Sequence, residues 1–148
     1  MRLAYGIVLR DHATIADAEE AAIARHSHYY TDVAGWLIRA DVVRYSYTVD
    51  ADREEYGLTS GQIELWACPV LRWTQHGATM KDIWTGSRQR WVDLRPGTKQ
   101  WASRTAIEAV AQLDERRRRQ IYVLQRKLDR AQEDLQIVQS LLETKDPL

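Results

Sequence analysis

Apolar residues recur along this chain in two different periods, and the change between them divides it. Residues 2–10 alternate, with Leu3, Tyr5, Ile7 and Leu9 on one side and small or polar neighbours between them, which predicts a half-buried strand. Asp11-His12 ends that run. Thr14 stands three residues before Asp17, the pattern of an N-cap followed by an acid in the first helical turn. The helix it opens, over 15–30, brings Ile15, Ala18, Ala22, Ile23, His26 and Tyr30 to one side. Thr31-Asp32 predicts the cap of a second, short helix through Trp36 and Leu37. Alternation returns over 41–49, where Val43, Tyr45, Tyr47 and Val49 oppose Arg44, Ser46 and Thr48. An acidic stretch over 50–55, with Gly57 and Gly61, predicts a solvated loop. Four short β runs follow at 62–67, 70–75, 79–85 and 88–94. Pro69 has no N–H to give a ladder and marks a break, a bulge or an edge, while Gly77 and Gly86-Ser87 signal hairpin turns.

From Ile107 to Leu142 the period becomes seven. Ile107, Val110, Asp114, Arg117, Ile121, Leu124, Leu128, Ala131, Leu135, Val138 and Leu142 stand at alternating spacings of three and four, a narrow stripe along one helix. Gln125, Gln132 and Gln139 repeat beside it. A narrow apolar stripe needs a partner helix, so this segment predicts a coiled coil with another copy of the chain or with another protein's helix. Association would rest on Ile107, Val110, Ile121, Leu124, Leu128, Ala131, Leu135, Val138 and Leu142. The leucines do not follow the simple parallel-dimer rule, so the stripe alone sets neither the number nor the direction of helices. Asp114 and Arg117 fall on the seam, where a pair across helices would fix register at some cost in stability. Thr105 with Glu108 fits a capping box. The helix is expected to begin between Thr98 and Thr105 and to stop before Pro147.

These elements predict an α+β fold in two parts. Residues 1–97 form a small, mainly antiparallel sheet with an N-terminal helix, and 98–148 form a long C-terminal coiled-coil helix. Composition supports folding, since 45% of the 148 residues are hydrophobic and 28% charged. The formal net charge is zero, which excludes a global field toward nucleic acid or membrane. That zero hides a gradient: residues 1–60 balance at −4, residues 61–100 at +3 and residues 101–148 at +1. A lone cysteine, Cys68, excludes an internal disulfide and points to a reducing compartment. No segment reaches the ~18–20 apolar residues of a membrane span, and the N-terminus lacks a cleavable signal pattern. A cytoplasmic protein without membrane partners is expected.

The basic middle segment also holds four of the six tryptophans, in a loose internal echo. Glu64-Leu65-Trp66 with Arg72-Trp73 and Asp82-Ile83-Trp84 with Arg90-Trp91 lie 18 residues apart, which predicts two similar hairpin halves. A three-residue turn at Thr85-Gly86-Ser87 would set Trp84 opposite Arg88 and Asp82 opposite Arg90. Large aromatics and cross-strand cation pairs then hold a small sheet together. The functional alternative is a stacking platform for nucleic acid or another protein, using Arg72, Trp73, Trp84, Arg88, Arg90, Trp91 and Arg95. The Arg116–Arg119 run reads as a solvated helical turn, because the residues before it look like packing surface and not like a basic DNA-reading region. His26 and His28 are two apart and cannot share a metal on one helix. Cys68 and the serines and threonines lack a nucleophile motif. The sequence therefore predicts no enzyme, no cofactor and no metal; it points to a non-enzymatic oligomeric interaction or assembly module, with nucleic-acid binding as the alternative.

Overall fold

In a computed structural model, residues 6–44, 61–84 and 88–144 are described. The strands are β1 (Ile7–Val8), β2 (Gly35–Val43), β3 (Gln62–Trp73), β4 (Gly77–Lys81) and β5 (Gln89–Asp93); the helices are α1 (Ile15–Ser27) and α2 (Ala106–Glu143). The fold is α+β, a small antiparallel sheet with a short N-terminal helix and a long C-terminal one. The chain divides into two compact units, Met1–Leu113 and Asp114–Leu148. The first two turns of α2 belong to the first unit. Predicted strand residues Leu3, Tyr5, Tyr45, Tyr47 and Val49, the acidic loop and the Gly86-Ser87 turn lie outside the described residues.

β3 organises the sheet. β2 pairs along nearly its whole length, from Val43↔Gln62 to Gly35↔Val70. Its other edge is shared, by β1 at Leu65 and Glu64 and by β4 from Val70 to Trp73. β5 then pairs outside β4. The expected break at Pro69 is absent: β3 runs straight through it. Val70 turns its carbonyl to the Ala34 N–H on the β2 side. Alternation therefore turns the Pro69 nitrogen to the other edge, in the interval between the β1 and β4 pairs, where no donor is needed. The irregularity falls just beyond, between Val70 and Arg72.

Thr14 caps α1 as expected, its Oγ1 accepting the Asp17 N–H at 3.0 Å. The helix ends at Ser27, and Tyr30 packs elsewhere, on the opposite side of the sheet. The expected second helix over Trp36 and Leu37 does not form; those residues open β2. Asp32, expected as a cap, instead takes φ of 59°, a left-handed turn that an aspartate tolerates and that swings the chain into the strand.

Two cores flank the sheet because side chains alternate along β2 and β3. Ile38, Ala40, Leu65 and Ala67 face Ala18 and Ala22 of α1 and Ala106, Ala109 and Leu113 of α2. The many alanines let both helices approach the strands closely. Leu37, Trp66, Cys68, Val70, Ala78, Met80 and Val92 face the other way, under Ile83, Leu94 and Ala102. The segment before α2 is bound to the edge of β2, where Ile38 and Ser103 exchange both backbone hydrogen bonds at 2.7 Å. Thr105 Oγ1 accepts the Glu108 N–H at 3.2 Å, as the capping box predicts. The Ala106 N–H is bound by the Glu19 carboxylate from α1, an acid at the positive end of α2.

Candidate functional site

The tryptophan–arginine residues split into two groups. The internal echo does not produce two alike hairpin halves: its first copy lies along one strand, β3, while its second straddles the β4–β5 connection. The register also departs from expectation. Lys81 pairs with Gln89 and Met80 with Arg90, so Asp82, whose N–H donates to the Arg88 carbonyl at 2.8 Å, stands opposite Arg88. The cause is local. Asp82 Oδ1 accepts the Trp84 N–H at 3.0 Å, an Asx turn that takes the chain out of the ladder two residues early on the β4 side. Arg90 still reaches Asp82 on the diagonal, at 3.8 Å.

Trp73 and Trp91 brace the sheet. Gly35 leaves room for the Trp73 ring, since a Cβ there would lie 2.8 Å from it, and Gly77 does the same for Trp91 at 2.9 Å. Trp73 Nε1 donates to the Ala34 carbonyl at 3.0 Å and Trp91 Nε1 to Thr74 Oγ1 at 3.2 Å. Arg104 stands over the Trp73 ring at 5.4 Å. Both rings remain about half exposed on their other sides. Arg72 and Arg88 are exposed. Arg95 is held by Asp93 through contacts of 2.6 to 3.2 Å, which pull that carboxyl down to about 2.

Trp66, Trp84 and Trp101 form the second group. Trp84 meets Trp66 edge-on at 5.5 Å and Trp101 at 5.2 Å. The guanidiniums of Arg39 and Arg90 stand over the Trp101 ring at 4.3 and 4.4 Å. Arg39 also donates to the Trp101 carbonyl at 2.6 Å and pairs with Asp41 at 3.5 Å. Burial works against its charge and Asp41 for it. Arg39, Asp41, Trp66, Trp84 and Trp101, with Val42 and Val43, line a cavity of about 320 Å³. Its walls suit a flat apolar body, and its two visible charges, Arg39 and Asp41, offset each other. Arg39, Asp41, Trp66 and Trp101 fall outside the binding residues expected from the sequence. The echo did carry part of the signal, because Trp66 and Trp84 occupy equivalent positions in it.

His26 is sealed in the α1 face, its Nδ1 2.8 Å from the Ala22 carbonyl, and burial pushes its pKa down. Cys68 is buried and its thiol pKa is pushed up by desolvation. Among the described residues, no three metal-ligating side chains converge, and no helix is long and apolar enough to cross a membrane.

A long run of exposed apolar side chains lies on α2. Val110 packs partly against the first unit's core, while Ile107 is exposed. Beyond Asp114 every residue of the expected seam is open: Ile121, Leu124, Leu128, Leu135, Val138 and Leu142 are between 51 and 74% exposed, and Ala131 is exposed with them. Tyr122, Val123, Ile137 and Leu141 add apolar surface off the stripe. Of the seam charges, Asp114 bonds within its own helix to Arg118 at 2.8 Å, and beside it Glu115 pairs with Arg119 at 3.7 Å. No protein-family model, curated protein or solved structure matches the chain.

Proposed function

We propose that this protein is a non-enzymatic, self-associating interaction module whose C-terminal helix joins copies through a coiled coil. The observation that carries the reading is the stripe from Ile121 to Leu142, apolar at three–four spacing and open to water along its length. A lone helix with such a stripe gains little from its own residues, and a second helix covering it removes the apolar area from water. The buried, unpaired cysteine suits a reducing, cytoplasmic setting.

Light scattering on the full chain tests this. The expected mass is at least twice the 17.2 kDa of one chain, and Leu128→Asp returns it to one. Leu128 is half covered by its own helix, so dimer formation adds about 1 kcal/mol per leucine. Burying a carboxylate in its place costs at least a further 1–3 kcal/mol or so. Over two copies the loss is about 4 kcal/mol or more, roughly a thousandfold in association. A single-chain mass for the parent, or an unchanged mass for the variant, refutes the reading.

The half-exposed rings of Trp73, Trp84 and Trp91, beside exposed Arg72 and Arg88, support nucleic-acid binding as a second reading. Tryptophan quenching by single-stranded DNA that saturates at low salt and vanishes at high salt would favour it. No quenching at low salt would remove it.

A further inference from the structure

Self-association through α2 leaves the direction of the two helices open, and the charges and sizes beside the seam choose between them. Parallel and in register, every seam residue meets its own copy. Ala131 then faces Ala131 and leaves a gap in the middle of the seam, while Asp114 stacks on Asp114 and Arg117 on Arg117. The flanking positions add nothing: Gln120 meets Gln125, Lys127 meets Gln132 and Asp134 meets Gln139.

Antiparallel, with the centre between Asp129 and Arg130, the same residues fit. Ile121 faces Val138 of the second copy, Leu124 faces Leu135 and Leu128 faces Ala131, so each large side chain at the centre fills the space left by a small one. Arg117 meets Leu142, where its head reaches solvent. On the flank, Lys127 of each copy comes beside Asp134 of the other, which makes two ion pairs across the seam. Both groups are open to this: among the described residues neither takes an ion pair in its own helix, whereas Asp114, Glu115 and Asp129 are held by Arg118, Arg119 and Gln125. The register is also singled out. A slip of one heptad in one direction sets Lys127 on Lys127, and in the other sets Asp134 on Asp134.

We infer that the occupant of the exposed α2 stripe is a second copy of this chain lying antiparallel, with Ile121 against Val138 and Lys127 beside Asp134. This rests on the proposed self-association and adds direction and register to it.

Single-cysteine variants read the arrangement. Ile121→Cys and Val138→Cys are oxidised with glutathione disulfide, separately and as an equal mixture, and run without reductant. The parent, whose Cys68 is buried, serves as the background. The expected result is a cross-linked dimer only in the mixture, because residue 121 and its own copy lie roughly 25 Å apart along the antiparallel axis. Cross-linking of either variant alone means a parallel pair and overturns the inference. No cross-link in the mixture, with the parent still dimeric by light scattering, overturns the register while leaving self-association standing. A single-chain parent fails the proposed function itself. Charge exchange supplies an independent reading: Lys127→Asp should weaken the dimer on the order of tenfold, and Lys127→Asp with Asp134→Lys should restore it. A parallel pair would give Lys127→Asp almost no effect, since Gln132 faces it.

Discussion

Removing the Trp73 ring distinguishes a residue that braces the sheet from one that waits for a ligand. The ring is 42% exposed, so more than half of it is covered by Gly35, its neighbours and Arg104. A fully covered tryptophan buries up to about 250 Å², and somewhat over half of that is roughly 140 Å². At about 25 cal/mol per Å² the covered part is worth about 3.5 kcal/mol. The indole N–H bonded to the Ala34 carbonyl adds about 1 kcal/mol. Both are upper figures, because an unfolded chain already hides some of this area, so Trp73→Ala should cost about 2–4 kcal/mol. Trp73→Phe keeps most of the contact and loses the donor, for a cost nearer 1 kcal/mol. Urea denaturation followed by far-ultraviolet circular dichroism measures both without relying on the altered fluorophore. With a slope of about 1–3 kcal/mol per molar, the alanine variant should shift the midpoint by roughly 1–2 M. A loss below about 1 kcal/mol for Trp73→Ala would refute the bracing role and leave the ring free for stacking.

Other outcomes follow from the same contacts. His26 is buried with its pKa pushed down by desolvation, so the unfolded chain binds a proton that the folded one refuses. Stability should be flat above about pH 6.5 and fall below it by up to about 1.4 kcal/mol per pH unit, seen as a declining melting temperature between pH 7 and 5.5. His26→Gln should flatten that decline; an unchanged profile would assign it to other groups. Glu19→Ala removes the carboxylate that binds the Ala106 N–H at the start of α2. It should cost about 1–2 kcal/mol in chemical denaturation, with no change in oligomeric mass. An altered mass would tie that contact to assembly.

The helical termini were legible in the sequence because capping is a local interaction: Thr14 with Asp17 and Thr105 with Glu108 bond within four residues of each other. The extent of β3 and the start of β2 were not. A proline inside a strand is acceptable only if its nitrogen faces a gap in the neighbouring edge, and that gap is made by β1 and β4, distant along the chain. Asp32 likewise has a side chain suited to a cap, and only the pull of β2 toward β3 selects its left-handed turn. The cluster around Trp101 was illegible for a related reason. Arg39 lies 62 residues before its hydrogen-bond partner, and nothing in the local pattern marks it as different from a solvated strand arginine. The α2 stripe was the reverse case, a long, regular signal whose exposure the structure displays residue by residue.

α2 carries two kinds of information along its sequence. Up to Leu113 its small and apolar side chains complete the core beside β2 and β3; from Ile121 to Leu142 its apolar stripe is exposed. Inheritance can therefore act on the two properties separately. A substitution at Ala106 or Ala109 is judged by whether a chain folds at all, whatever its concentration. On the proposed self-association, a substitution at Leu124 or Leu135 would leave each chain's core intact and be felt only where two chains meet. Specificity for a different neighbour could drift along the second stretch with no penalty to the first, which makes that part of the helix the freer ground for change.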